Sequence, residues 1–150
     1  MARSPVAIFN GSYPNIKGLD ALQRRVAALP ESIASEVKPA LDKAGARMVK
    51  TIRPLVPVSD DLEKNPGELR DSLHVEPGRH DLSIVVVEDA VDADGHQIAL
   101  HVEQGHKAKD GSHVAAKPHF WPGYNLSKKP IRNALNRAMN AGIKKGWGKT

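Results

Sequence analysis

Apolar residues recur at steps of three and four through Leu19, Leu22, Val26 and Leu29, then through Ile33, Val37, Ala40, Leu41, Ala44, Met48 and Ile52. That spacing places them along one side of a helix, with Glu36, Lys43, Arg47 and Lys50 elsewhere on the wheel. Pro30 and Pro39 interrupt the run, and a proline lacks the amide hydrogen and crowds the preceding turn, so each predicts a kink or break. Pro54 and Pro57 end it. Residues 58–71 read as a loop with an Asn-Pro-Gly turn and one helical turn at Glu68–Asp71. The period then shortens to two. Leu73 and Val75 alternate with His74 and Glu76, and Pro77-Gly78 turns the chain. Leu82, Ile84 and Val86 follow, then an acidic turn, then Ile98, Leu100 and Val102 alternating with Ala99, His101 and Glu103. Three strands joined by short turns predict an antiparallel meander with one aliphatic face in need of a cover. A last stripe, Ile131, Leu135, Met139 and Ile143, predicts a closing helix from near Ser127, with Pro130 tolerable in its first turn.

The expected fold class is therefore α+β. A small antiparallel sheet of three to four strands would be covered on one face by a long kinked N-terminal helix and a C-terminal helix. Residues 1–17 read as an irregular arm, 18–145 as a single domain and 146–150 as a flexible tail.

Composition narrows the chemistry. A chain of 150 residues suits one domain. Only 4% of residues are aromatic against 40% hydrophobic, so the core must be aliphatic. Cysteine is absent, which removes disulfides, thiolate zinc sites and cysteine nucleophiles, and fits a reducing compartment. No targeting segment is visible, and nothing approaches the ~18 apolar residues of a membrane span. Charge is uneven. Leu126–Thr150 holds seven basic residues, among them Lys128, Lys129, Arg132 and Arg137, and no acid. With 22 basic and 17 acidic residues in all, the rest of the chain is slightly acidic. A basic closing helix suggests an acidic partner, nucleic acid or protein.

Four of the seven histidines, His101, His106, His113 and His119, lie close together in sequence. Their spacing fits neither the helical nor the strand pair of a zinc site, and Lys107, Lys109 and Lys117 would repel a dication. His101 with Glu103, and His74 with Glu76, have the makings of acid–base pairs. Yet there is no nucleophile elbow and no phosphate-cradling glycine loop. The expectation is no catalysis, no metal and no cofactor, with a metal-dependent hydrolase using the histidine loop as the second rival. A basic nucleic-acid-binding protein that uses the C-terminal helix is the main alternative.

Three segments in order carry a family resemblance: Val56–Leu73, with G-x-L-R-x-S; His101–Gly105, with V-E-x-G; and Ala116–Asn125, reading AKPHFWPGYN. The set resembles the tail-completion, or head–tail joining, family of long-tailed bacteriophages, of the lambdoid gene-product-ten type. It spans roughly Gly18 to Lys145. The chain departs from that pattern in a longer loop before Gly67, in His106, and in an expanded loop at Lys107–Ala115. The resemblance implies a virion structural protein of the neck and no catalysis. It implies a homo-oligomeric ring, six-fold or else twelve-fold, between the head connector and the tail tube. Partners would be head-closure, tail-tube and terminator proteins, with DNA passing through without sequence-specific contact, no membrane, and the host cytoplasm as the place of assembly.

The residues expected at subunit or partner contacts follow from this. His101 and Glu103 would stand on a polar sheet face, and Gly105 would let the chain leave its strand sharply. Pro118 and Pro122 stiffen a segment in which Phe120, Trp121 and Tyr124 offer large contact areas. The acidic turn, Glu88, Asp89, Asp92 and Asp94, would meet Lys128, Lys129 and Arg132 of the next copy, as a closed ring needs two different, complementary patches.

Overall fold

A computed structural model describes residues 18–59, 66–108 and 110–148. The expected arm, residues 1–17, lies outside them, as do much of the loop before Gly67, Lys109 and the last two residues.

Helix α1 runs unbroken from Leu19 to Ile52. It passes through both Pro30 and Pro39, where breaks were expected. Each proline costs the helix a hydrogen bond and some strain. That cost is offset by packing against α4 from Leu29 to Ile52. A 3-10 turn, Arg53–Leu55, holds Pro54 and closes the run. A short helix α2 (Glu68–Ser72) leads into β1 (Leu73–Pro77), which pairs antiparallel with β2 (Ile84–Glu88). Leu73 lies opposite Glu88, and Val75 opposite Val86. Helix α3 (Ile98–Gln104), a small hairpin of β3 (His106–Lys107) and β4 (His113–Val114), and helix α4 (Phe120–Gly148) complete the order.

The α+β class is as expected, but the strands form two separate pairs rather than one meander. The expected third strand is α3. Alternation at Ile98, Leu100 and Val102 also places Ile98 and Val102 one helical turn apart. In the helix Ile98, Ala99 and Val102 pack on the core, and Leu100 is left half exposed. Gly105 therefore ends a helix and not a strand. The expanded segment Lys107–Ala115 is not a loose loop either. Gly111, at φ 85°, turns the hairpin, and Asp110 Oδ1 accepts the amide and hydroxyl of Ser112 at 2.8 and 2.6 Å.

Helix α4 starts at Phe120, ahead of Ser127, so Pro130 lies inside it. It also continues to Gly148, beyond the point where a flexible tail was expected. The residues it buries are Gly123, Ser127, Gly142 and Gly146, all small. Only half of the apolar stripe docks: Ile131 and Leu135 are half-buried, while Met139 and Ile143 are 46% and 42% exposed. Small residues win because α1 and α4 run antiparallel at very short range. A Cβ on Gly123 would stand 3.0 Å from Ile52 Cα, and one on Gly142 would stand 2.6 Å from Ile33 Cα. Gly146 meets Leu29 and Ser32. On the other side of α1, a Cβ on Gly45 would stand 2.8 Å from Ile84 Cδ1 and 2.9 Å from Val75 Cγ1. Glycines thus let both the closing helix and the sheet sit against α1.

The best-buried core lies where these layers converge. Ile52, Val56, Leu69, Leu73 and Ala90 form it, with Met48, Val86, Val102 and Phe120 packed around them. It is aliphatic apart from Phe120, as composition required. Among the described residues no helix is long and apolar enough to cross a membrane.

Gly142→Val is expected to lower stability by about 3 kcal/mol or more, because the clash is with backbone and cannot be relieved by a rotamer. Gly148→Ala, with nothing within 4 Å, serves as the control and leaves stability unchanged or slightly raised. Thermal or urea unfolding of the pair measures the difference.

Candidate functional site

The segment preceding α4 is Ala116-Lys117-Pro118-His119, and none of the usual capping side chains stands at the helix start. The first amides must find an acceptor elsewhere. They find Glu103, on α3. Its Oε2 accepts the amides of His119 at 2.8 Å and Phe120 at 3.0 Å, and Oε1 accepts that of Trp121 at 3.2 Å. A carboxylate here also opposes the positive end of the helix dipole. Lys117 N donates to Val102 O at 2.8 Å, which fastens the segment once more to α3.

His119 lies beneath this cap and is fully buried. Its Nε2 is 2.9 Å from Glu88 Oε2, at the end of β2. Its Nδ1 is 3.1 Å from the Lys117 carbonyl oxygen and 3.3 Å from Glu103 Oε2. Both ring nitrogens thus face oxygen acceptors. Burial pushes the Glu88 carboxyl up, and His119 pulls it only partly back. Burial also acts to raise Glu103, but the amides of His119, Phe120 and Trp121 outweigh it and hold that carboxyl below the usual range. Three elements, β2, α3 and the start of α4, are tied at one buried point. With the imidazole fully enclosed, the cluster can position and join; it offers no face to a substrate.

Gly105 sits beside it at φ 73°. A Cβ there would stand 2.7 Å from Val114 O and 2.8 Å from Ala116 N, so only glycine lets the returning chain pass. Above the cluster the aromatic segment opens to solvent. Phe120 packs inward, Trp121 is 60% exposed, and Tyr124 meets Trp121 edge-on at 5.6 Å. Pro118 and Pro122 are exposed. Lys128 Nζ lies 5.9 Å from the Tyr124 ring centroid, within reach of a cation–π contact. Lys129 and Arg132 are exposed.

Two expectations change. Glu88 is not part of an exposed acidic patch; it is buried on His119. Glu103 does not stand on a sheet face; it caps α4. Asp89, Asp92 and Asp94 remain exposed. Asp92 Oδ1 accepts the amides of His96 at 2.8 Å and Asp94 at 3.0 Å, and the His96 amide is the main reason its carboxyl is held low. Asp92, Asp94 and His96 together have the donor atoms for a cation, all of them exposed. His101 lies on α3 with its ring stacked on His106 at 5.0 Å and 6.0 Å from His96. His74, in contact with the Ser72 carbonyl at 2.6 Å and with Glu76 at 3.1 Å, is raised chiefly by that carbonyl. His119 was read as one of four loop histidines. The missing N-cap before Phe120 was the signal that a distant carboxylate had to come in.

The fold and site define a small α+β module whose last helix is pinned at a buried histidine–glutamate cluster. The chain belongs to the HK97-gp10-like family, described as "Bacteriophage HK97-gp10, putative tail-component", whose model matches residues 20–109. No curated protein and no solved structure matches it. It is a bacteriophage tail component, a virion protein with a structural role. The match takes in Glu88, Glu103 and Gly105, so the acidic half of the buried cluster lies within the family segment.

Glu103→Ala is expected to cost about 2–4 kcal/mol, since three amides lose their acceptor, and Glu103→Gln less, since it keeps one. A carboxyl held low in the fold contributes stability above the unfolded glutamate range and loses it as pH falls through the lowered folded value. Below about pH 4.5, wild type should therefore lose stability more steeply than Glu103→Gln. Urea unfolding of the two proteins at neutral and acid pH checks both statements.

Proposed function

We propose that the protein is a tail-completion or head–tail joining component of the phage neck, and that it works as a ring between the head connector and the tail tube. One observation supports the reading: α4 exposes a basic and apolar side, while exposed carboxylates lie on other elements. On α4, Trp121, Lys128, Arg132, Met139 and Ile143 fall on one side at steps of seven and four, all exposed and with no acid among them. On other elements Leu82, Val91 and Leu100 are exposed, as are Asp81, Asp89, Asp92 and Asp94. Apolar area flanked by opposite charges suits head-to-tail association of identical subunits, which closes into a ring when the rotation allows.

Lys128, Lys129 and Arg132 steer the encounter while Trp121 and Met139 supply buried area. Six-fold symmetry follows from the tail and twelve-fold from the portal, and either suits such a contact. Head-closure, tail-tube and terminator proteins are the neighbours above and below, and assembly takes place in the host cytoplasm. Residues 18–145 act as the ring-forming domain.

The triple substitution Lys128→Glu, Lys129→Glu, Arg132→Glu is expected to abolish self-association, and Asp89→Lys with Asp92→Lys in the partner copy to restore it. Light scattering of the separate and mixed variants reads this. Unchanged assembly of the triple variant would contradict the contact. Steeply salt-dependent DNA binding at physiological salt, lost in the triple variant, would favour the nucleic-acid reading instead.

A further inference from the structure

Helix α1 carries a basic stretch of its own, apart from the one on α4. From Lys43 to Val58 the chain holds Lys43, Arg47, Lys50 and Arg53 and no acid. Lys43, Arg47 and Lys50 follow at steps of four and three, which sets them along one side of α1. All three are exposed, and among the described residues none has a carboxylate partner. Two depressions adjoin this row, and Ala46 and Lys50 stand in the walls of both. The first is walled by Lys43, Arg47 and Lys50 together with Pro130, Ile131 and Ala134 of α4. The second adds Arg53 and Arg70. No carboxylate lines either one. Asp42, next to Lys43 in the chain, lines a separate depression with Leu41 and Ile84. Glu68 and Asp71 lie near Arg70 on α2 and line neither.

The lining selects the partner. No aromatic ring is present to stack on an unpaired base, so a single strand is disfavoured. No exposed large apolar side chain is present either, whereas the core of a protein interface is built from such groups. What remains is a row of cations over alanine and proline. Lys43 and Arg47 differ by about 6 Å in height along α1, and Arg47 and Lys50 by about 4.5 Å. Continued to Arg53 the row spans about 15 Å, a length over which one strand of a duplex presents about four phosphates.

We propose that Lys43, Arg47 and Lys50 of α1, continued by Arg53, bind the phosphate backbone of duplex DNA without reading its sequence. A single copy presents the whole row, so the inference does not rest on the ring. It also differs from nucleic-acid binding by α4, since the cations lie on another helix.

Fluorescence anisotropy of a labelled mixed-sequence duplex reads binding to the intact protein as salt is raised. Wild type is expected to bind at low salt and to weaken about a hundredfold from about 50 to about 200 mM, as neutralising four phosphates requires. The triple substitution Lys43→Gln, Arg47→Gln, Lys50→Gln should flatten the log–log salt slope by about three, and Lys43→Gln or Lys50→Gln alone by about one. The single variants, at exposed positions, keep the test decisive should the triple variant fold poorly. Lys38→Gln, Arg137→Gln, Lys144→Gln removes the same charge elsewhere and should keep the wild-type slope. An unlabelled duplex of another sequence should compete equally. No binding of wild type at low salt overturns the inference, as does a wild-type slope in the α1 variants. A slope that falls only with Lys128→Glu, Lys129→Glu, Arg132→Glu also overturns it and assigns the binding to α4. Displacement by poly-glutamate as effective as that by unlabelled duplex overturns the assignment to DNA in favour of an acidic protein.

Discussion

Everything in this fold depends on how closely two helices can approach. Helix α1 is crossed by the sheet at Gly45 and by α4 at Gly123, Gly142 and Gly146. At each point a single methyl would meet another group at or inside contact distance. The small residues lose little side-chain entropy on burial and let backbone rest on backbone, which brings many weak dispersion contacts into range. That seam keeps α1 helical through two internal prolines. It also explains why a 4% aromatic chain holds together with so few large buried side chains.

Using the small face for packing leaves the large face for others. Met139 and Ile143 stay in water because glycine and serine occupy the seam. The buried cluster then fixes where the exposed aromatics stand. Glu103 holds the first amides of α4, His119 ties that corner to Glu88 on β2, and Trp121 follows within the first turn. The cluster thus turns Glu88, Glu103 and His119 inward and leaves Trp121 outward.

The class of fold, the two long helices and the β1–β2 hairpin were legible in the sequence, since period and turn residues agreed over those stretches. The prolines of α1 misled because local cost was visible and the compensating seam was not. Ile98–Val102 misled because alternation and helical spacing coincide over so few residues, and burial of Ile98, Ala99 and Val102 decided between them. Glu88 and Glu103 were read as surface charges. Their burial depends on His119, far along the chain, and no local pattern marks such a partnership. The ordered motifs V-E-x-G and A-x-P-x-F-x-P were noticed as a set; the glutamate of the first caps the helix that begins in the second.

The central claim is the backbone-to-backbone seam between α1 and α4, and its most direct measure is proton-to-proton proximity in solution. Nuclear Overhauser contacts between the Gly142 and Ile33 α-protons, and between the Gly123 α-protons and Ile52, are expected to be strong in the isolated protein. Helical chemical shifts for both segments without those contacts would contradict the account.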